Sequence, residues 1–283
     1  MNCVLFASPA DTNAINKKRL RTVIISESAA AGGSLLLLNQ LWYKDYPRSS
    51  FHFFNDNSEW MQMDKIGHIT TSLSIGSLCY KTLKWAGVEN KKAIWYGGFS
   101  GSAYLLAIEI FDGLSSQWGF SPGDFTANTL GSAIFISQQL VWSEQRIKIK
   151  WSYHNSQFPQ YRPDLLGRNF QESALKDYNA QTYWLSGNIS AFLKQDSRFP
   201  KWLNIAFGYG AEGMVGANQN PDNIPFFERY RQYYLSADID VKRIKTNSKI
   251  LKTLFYVVDF LKFPAPAIEY SRVGKYKMHW LYF

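Results

Sequence analysis

Apolar and polar positions recur with two different periods along this chain, and the change of period divides it. Helical spacing begins near Asn13 and carries Lys17, Lys18, Arg19 and Arg21 before the run Val23 to Trp42. The stretch Val23 to Trp42 is long enough to cross a bilayer. Ser26, Glu27, Ser28, Asn39 and Gln40 interrupt it, which predicts a helix packed against others or laid along an interface rather than an isolated span. Pro47 ends this segment, and the aromatic stretch Phe51-His52-Phe53-Phe54 follows. Three more helices are predicted. One runs from Glu59 to Trp85 and closes at Gly87; the next runs from Lys92 to Phe111 and carries Gly97-Gly98-Phe99-Ser100-Gly101, a spacing that lets another backbone come close. The fourth is specified at its start by Ser121 as N-cap, Pro122 at the first helical position and Asp124 three residues past the cap, and it extends to Trp142 before the basic run Arg146 to Lys150.

Past Trp151 Gly, Pro, Asn and Tyr become frequent, and the segments shorten. Asn169 to Asn179 and Gln181 to Leu193 predict short helices, while Leu203 to Gly210 reads as a strand or as backbone held close to another element. Tyr233, Leu235, Ala237, Ile239 and Val241 alternate with Tyr234, Ser236, Asp238 and Asp240, which predicts a half-buried strand. Lys249 to Phe260 predicts an amphipathic helix ended by Pro264 and Pro266, followed by strands at Ala267 to Ser271 and Tyr276 to Phe283. The last run ends in an aromatic residue after alternating large ones, like the closing strand of an outer-membrane barrel. A barrel needs at least about eight strands, and the pattern offers fewer. The expected fold is therefore mainly α: an N-terminal four-helix bundle over residues 12–150, partly membrane-associated, with a smaller mixed α/β region of short strands over 151–283.

Composition sharpens the membrane reading. The 31 basic residues outnumber the 22 acidic ones, a balance of +9 that favours phosphate groups, acidic partners or a lipid headgroup layer. No compact Lys/Arg block, zinc-finger spacing or RNA-binding aromatic signature accompanies it, which argues against nucleic acid. Aromatic residues make up 17% of the chain, including ten Trp and seventeen Tyr, and such amphipathic rings suit a membrane–water boundary or a large protein interface. The two cysteines give no disulfide framework and no metal-thiolate spacing. Cys79 reads as a small buried hydrophobe. Cys3 lies in a stretch resembling the tail of an export signal, with Phe6-Ala7-Ser8 near a cleavage site, but the residues before it do not make a lipidation box.

Three polar clusters stand out against small and apolar surroundings: Asp64-Lys65-Ile66-Gly67-His68, Glu109-Ile110-Phe111-Asp112-Gly113, and Ser121 to Gly131 with Asp124 and Asn128. Asp64 with His68, Glu109 with Asp112 and Asp124 with Asn128 are each spaced to share one helix face. Together His68, Glu109, Asp112, Asp124, Asp64 and Asn128 form a candidate divalent-metal set, suited to zinc, calcium, manganese or iron according to geometry. Each member also has a plainer role. His68 can be satisfied by hydrogen bonds, Glu109 and Asp112 can pair with Lys65, and Asp124 can stabilise its helix start. Asn128 is not explained by capping. No nucleophile motif, phosphate loop or zinc-protease helix is present; a metal with an open position would still allow hydrolysis.

At these clusters the chain resembles the YfiM-like family of predicted periplasmic lipoproteins of unknown function. The resemblance rests on Asp64-Lys65 with His68, Glu109 with Asp112, and Phe120-Ser121 with Asp124, Asn128 and Gly131, over about the first half of the chain. A more distant similarity is to VanZ-like membrane proteins, which combine an Asp-Lys-x-x-His start with a later Asp-x-x-x-Asn-x-x-Gly helix. The resemblance implies a helical protein of the bacterial cell envelope with a polar site of undetermined purpose. The expectation that follows is a non-enzymatic accessory subunit of a larger outer-membrane assembly, such as one built around a barrel, on the periplasmic side and in contact with lipid. The alternative is a metal-dependent hydrolase or transferase acting on a lipid or cell-wall component.

Overall fold

The helices begin where the sequence places their caps. Asn16 accepts the Arg19 N–H at 3.0 Å and opens α1 (Lys17–Leu38), which continues as a wider π-turn over Asn39–Tyr43. Ser121 accepts the Asp124 N–H at 3.0 Å and opens α4 (Pro122–Trp142). Between them lie α2 (Met63–Trp85) and α3 (Asn90–Gly113). The computed structural model describes residues 15–44, 46–194 and 196–282, so the expectations for Cys3 and the export signal fall outside the described residues. The chain divides into two compact units, one formed by residues up to Phe54 with Thr71–Ser143 and the other by Asn55–Thr70 with Glu144–Phe283.

In the first unit small residues bring helix backbones together. A Cβ on Gly101 would stand 2.1 Å from the Ser72 carbonyl oxygen, and one on Gly97 2.4 Å from the Tyr80 nitrogen. Ser72, Asn128, Ser132 and Gln139 are buried at or beside these crossings, whereas Trp95, Tyr96, Phe99, Leu140 and Val141 are exposed. Residues 48–54 run beside 113–120, with Phe54 N–H donating to the Phe120 carbonyl and Phe120 N–H to that of His52, each at 2.9 Å. The continuous helix Lys17–Tyr43 is 27 residues long and is the one helix among the described residues long and apolar enough to cross a membrane. Val23 is its one buried residue within α1.

The second unit is built on β1 (Ile147–Tyr153), β2 (Gln181–Asn188), β3 (Leu203–Glu212), β4 (Tyr230–Ile239), β5 (Ala265–Ser271) and β6 (Lys275–Tyr282). These form one antiparallel sheet in the order β1-β2-β3-β4-β5-β6. Short helices α5 (Pro163–Leu166) and α6 (Phe170–Lys176) precede β2, and α7 (Lys249–Val257) lies between β4 and β5. The sheet is curled. Trp151 N–H donates to the Phe260 carbonyl at 2.8 Å and Lys262 N–H to that of Trp151 at 2.9 Å, so the free edge of β1 meets the lead-in to β5. Across the inner face the Tyr282 hydroxyl donates to that of Tyr234 at 2.8 Å and lies 3.2 Å from Thr182 Oγ1. That inner face is polar: Lys148, Lys150, Ser152, Thr182, Ser186, Asn188, Asn204, Ser236, Asp238 and Glu269 are all buried, while Leu185, Phe207, Leu235, Ile268 and Met278 on the outer face are exposed.

The sheet overturns the expected fold class. A mainly α protein on a four-helix bundle, with a small region of short strands, does not describe a chain whose second unit holds a six-stranded antiparallel sheet. Nor do the four long helices form the expected bundle: α1 buries only Val23, and α2 is divided between the units at Thr70 and Thr71. Two strands were hidden for physical reasons. β1 carries Lys148 and Lys150, which read as a solvated basic run but are buried inside the curl. β2 occupies Gln181–Asn188, where a helix is expected, because its inward positions Thr182, Ser186 and Asn188 are polar. The half-buried strand expected there is β4, with Leu235 exposed on one face and Ser236 and Asp238 buried on the other.

Overpacking a tight backbone crossing costs about 1–3 kcal/mol. Gly101→Ala is therefore expected to lower stability by that amount, whereas Gly33→Ala, inside α1 with nothing within 4 Å of the added carbon, does not lower it and gains up to about 1 kcal/mol from helix propensity. Thermal unfolding in mild detergent checks this, and equal midpoints for both variants would contradict the close approach.

Candidate functional site

Each unit holds part of the polar set. In the second unit Asp64, Lys65 and His68 sit on the first two turns of α2. Tyr178 donates its hydroxyl to Asp64 Oδ1, and His68 Nε2 lies 3.7 Å from the same oxygen. Lys65 Nζ lies 3.3 Å from Asp64 Oδ2 and 2.6 Å from Asp56 Oδ1, so the lysine ties the helix start to the segment before it. Buried Met63, Tyr183, Ala211 and Met214 pack around this turn. Gly67 is needed there because a Cβ would stand 2.9 Å from the Tyr183 hydroxyl, which itself donates to Gln181 Oε1 at 2.7 Å. Burial alone pushes the Asp64 carboxyl up; His68, Lys65 and the Tyr178 hydroxyl outweigh it and hold the group below the ordinary aspartate value. One helix face thus carries an ionised carboxylate beside an imidazole, a donor pair that divalent cations accept.

In the first unit the carboxylates serve helix ends. Glu109, 1% exposed near the end of α3, accepts the Ser121 backbone N–H on Oε2 at 3.2 Å. A carboxylate at that position answers one unpaired donor at the start of α4 and favours the positive end of its dipole. Asp124 is buried in the first turn of α4, whose N–H is held by Ser121. Asp112 turns elsewhere, with Oδ1 accepting the Tyr43 hydroxyl at 2.6 Å. Asn128 is buried, and its carbonyl accepts hydroxyls from Ser72 at 2.7 Å and Ser102 at 2.8 Å. Ser132 Oγ completes this group, 2.6 Å from Ser102 Oγ and donating to the Gly98 carbonyl at 2.6 Å.

Sequence reasoning names the carboxylates and the histidine but not their partners. Tyr43 and Tyr178 carry no local signal, since they lie 69 and 114 positions from the groups they bind. The serine cluster had a signal in the small residues around Gly97 to Gly101, which marked a close helix crossing without saying that hydroxyls would line it.

Residues 52–138 match a family described as predicted periplasmic lipoprotein (DUF2279). The matched stretch contains all six candidate residues and leaves the sheet outside it. It supports a cell-envelope protein with a periplasmic location. No curated protein and no solved structure matches the chain.

A hydrogen bond to a charged group contributes about 1.5–3 kcal/mol. Tyr178→Phe is expected to lower unfolding stability by that range in the wild-type background and by much less in Asp64→Ala. Chemical unfolding of the four combinations checks this, and equal losses in both backgrounds would remove Tyr178 as a support of Asp64.

Proposed function

We propose that this chain is a non-enzymatic accessory subunit of a larger outer-membrane assembly, on its periplasmic side, and that its polar residues act as an internal lock reinforced by a divalent cation. The observation that supports this best is that the carboxylates are engaged in holding secondary-structure elements. Asp64 receives Tyr178 and Lys65, Glu109 receives the cap of α4, and Asp112 receives Tyr43. Catalysis asks for a group poised toward an open substrate position, whereas these groups are oriented by the fold they fasten. The cation is favoured by the Asp64–His68 pair, with zinc, calcium, manganese and iron as candidates. The aromatic and basic composition suits a subunit lodged among membrane proteins and lipid headgroups.

Elemental mass spectrometry on protein purified in mild detergent without chelator tests the cation. The expected result is stoichiometric metal in the wild type, with metal content and melting temperature falling together in His68→Ala and in Asp64→Ala. Unchanged metal in both variants, or none in the wild type, would leave a purely hydrogen-bonded lock. The subunit role is tested by purification from membranes under the same conditions: co-elution with a large membrane complex is expected, and recovery as a lone monomer would contradict it.

A further inference from the structure

The sheet register places one outward residue of each strand in a single row: Trp151, Tyr183, Tyr209, Tyr233, Tyr270 and Tyr276. Every one is a Trp or Tyr. The next outward row, two residues along each strand, is Ile149, Leu185, Phe207, Leu235, Ile268 and Met278, all apolar. The five of these on β2 to β6 are between 41% and 56% exposed. The segment around Trp60 and Met61 and the first turns of α2 pack on Trp151, Tyr183 and Tyr209, leaving Tyr233, Tyr270 and Tyr276 open.

We infer that the outer face of this sheet lies against the hydrocarbon core of a lipid bilayer, with the aromatic row at one headgroup boundary. Two features distinguish lipid from a protein partner. A protein interface is shaped residue by residue and mixes polar with apolar groups, whereas a fluid slab selects by depth alone, which is what a row-by-row change from aromatic to apolar across six strands records. Charge supplies the second feature. At the strand ends away from the aromatic row, α7 exposes Ile250, Leu251, Leu254 and Val257 together with Lys249 and Lys252. Beside it lies a concavity of ≈ 520 Å³ lined by Lys242, Arg243, Lys245 and Lys252, in which Lys242 pairs with Asp259 and Arg243 with Glu144 and Asp240, so that Lys245 and Lys252 carry its positive charge. A short amphipathic helix with lysines over a basic hollow complements lipid phosphates at the second boundary. The central strands β3 and β4, at 10 residues each, have the length of a tilted membrane strand, about 9–11 residues.

This placement rests on the envelope location proposed above, and the test separates the two. The photoreactive residue p-benzoylphenylalanine is introduced at Phe207, at Ile268 or at the exposed loop residue Gln219 of the full chain, and bacterial membranes are irradiated. Mass spectrometry is expected to find phospholipid adducts at positions 207 and 268 and their loss at Gln219. A chain that sediments with membranes but crosslinks to protein at both 207 and 268 overturns the lipid-facing sheet while leaving the envelope location intact. A chain recovered only in the soluble fraction overturns both.

Discussion

A lysine and an aspartate lie wholly inside the curled sheet, with Lys150 Nζ 2.8 Å from Asp238 Oδ2 and neither side chain exposed. Two ions removed from water are costly, and further bonds to the lysine and to Asp238 Oδ2 offset part of that cost. Lys150 also donates to the Ile239 carbonyl at 2.7 Å, and Ser186 donates to Asp238 Oδ2 at 2.6 Å. Lys148, two residues along β1, repeats the pattern by reaching Asp240 at 2.7 Å and Asp259 at 2.8 Å. Because successive strand residues point to opposite faces, an inside made of Lys148, Lys150, Ser152, Ser186 and Asp238 puts Ile147, Ile149, Leu185 and Leu235 outside. The polar interior and the apolar exterior are one constraint.

The first unit also buries polar groups between its helices, beside apolar ones such as Leu105, Phe135 and Ile136. Its closest crossings are lined by glycines and by the hydroxyls of Ser72, Ser102 and Ser132, and Asn128 is buried among them. Large apolar side chains such as Phe99, Leu130, Leu140 and Val141 face outward. Small residues at the contacts let the helix backbones approach, and the hydroxyls between them are satisfied by backbone carbonyls. Residues 52–138, which match a family described as predicted periplasmic lipoprotein, contain Glu109, Asp112, Asp124 and Asn128 and the Asp64–His68 turn, while the sheet lies beyond that match.

The helices were legible because their signals are local. Ser121 and Pro122 fixed the start of α4, and the predicted Lys92 to Phe111 lies within α3 at Asn90–Gly113. The strands were less so, because alternation states that two faces differ but not which one is buried. In β4 the alternation is plain, but only the structure shows that the Ser236 and Asp238 face is the buried one. In β1 the basic run Arg146 to Lys150 concealed a strand whose outward positions Ile147, Ile149 and Trp151 are apolar. The candidate site was readable as residue types on helix faces, since Asp64 and His68 are separated by one turn. Its supports were not, because Tyr178 and Tyr43 reach it through the tertiary fold.

The inverted interior is tested most directly by chemical unfolding of Lys150→Met beside the double variant Lys150→Met with Asp238→Leu. Breaking one side of a buried ion pair costs about 3–5 kcal/mol, whereas replacing both with apolar groups is often neutral. The single variant is expected to lose stability in that range and the double variant to regain most of it. A single variant as stable as the wild type would contradict a sheet organised around a buried pair.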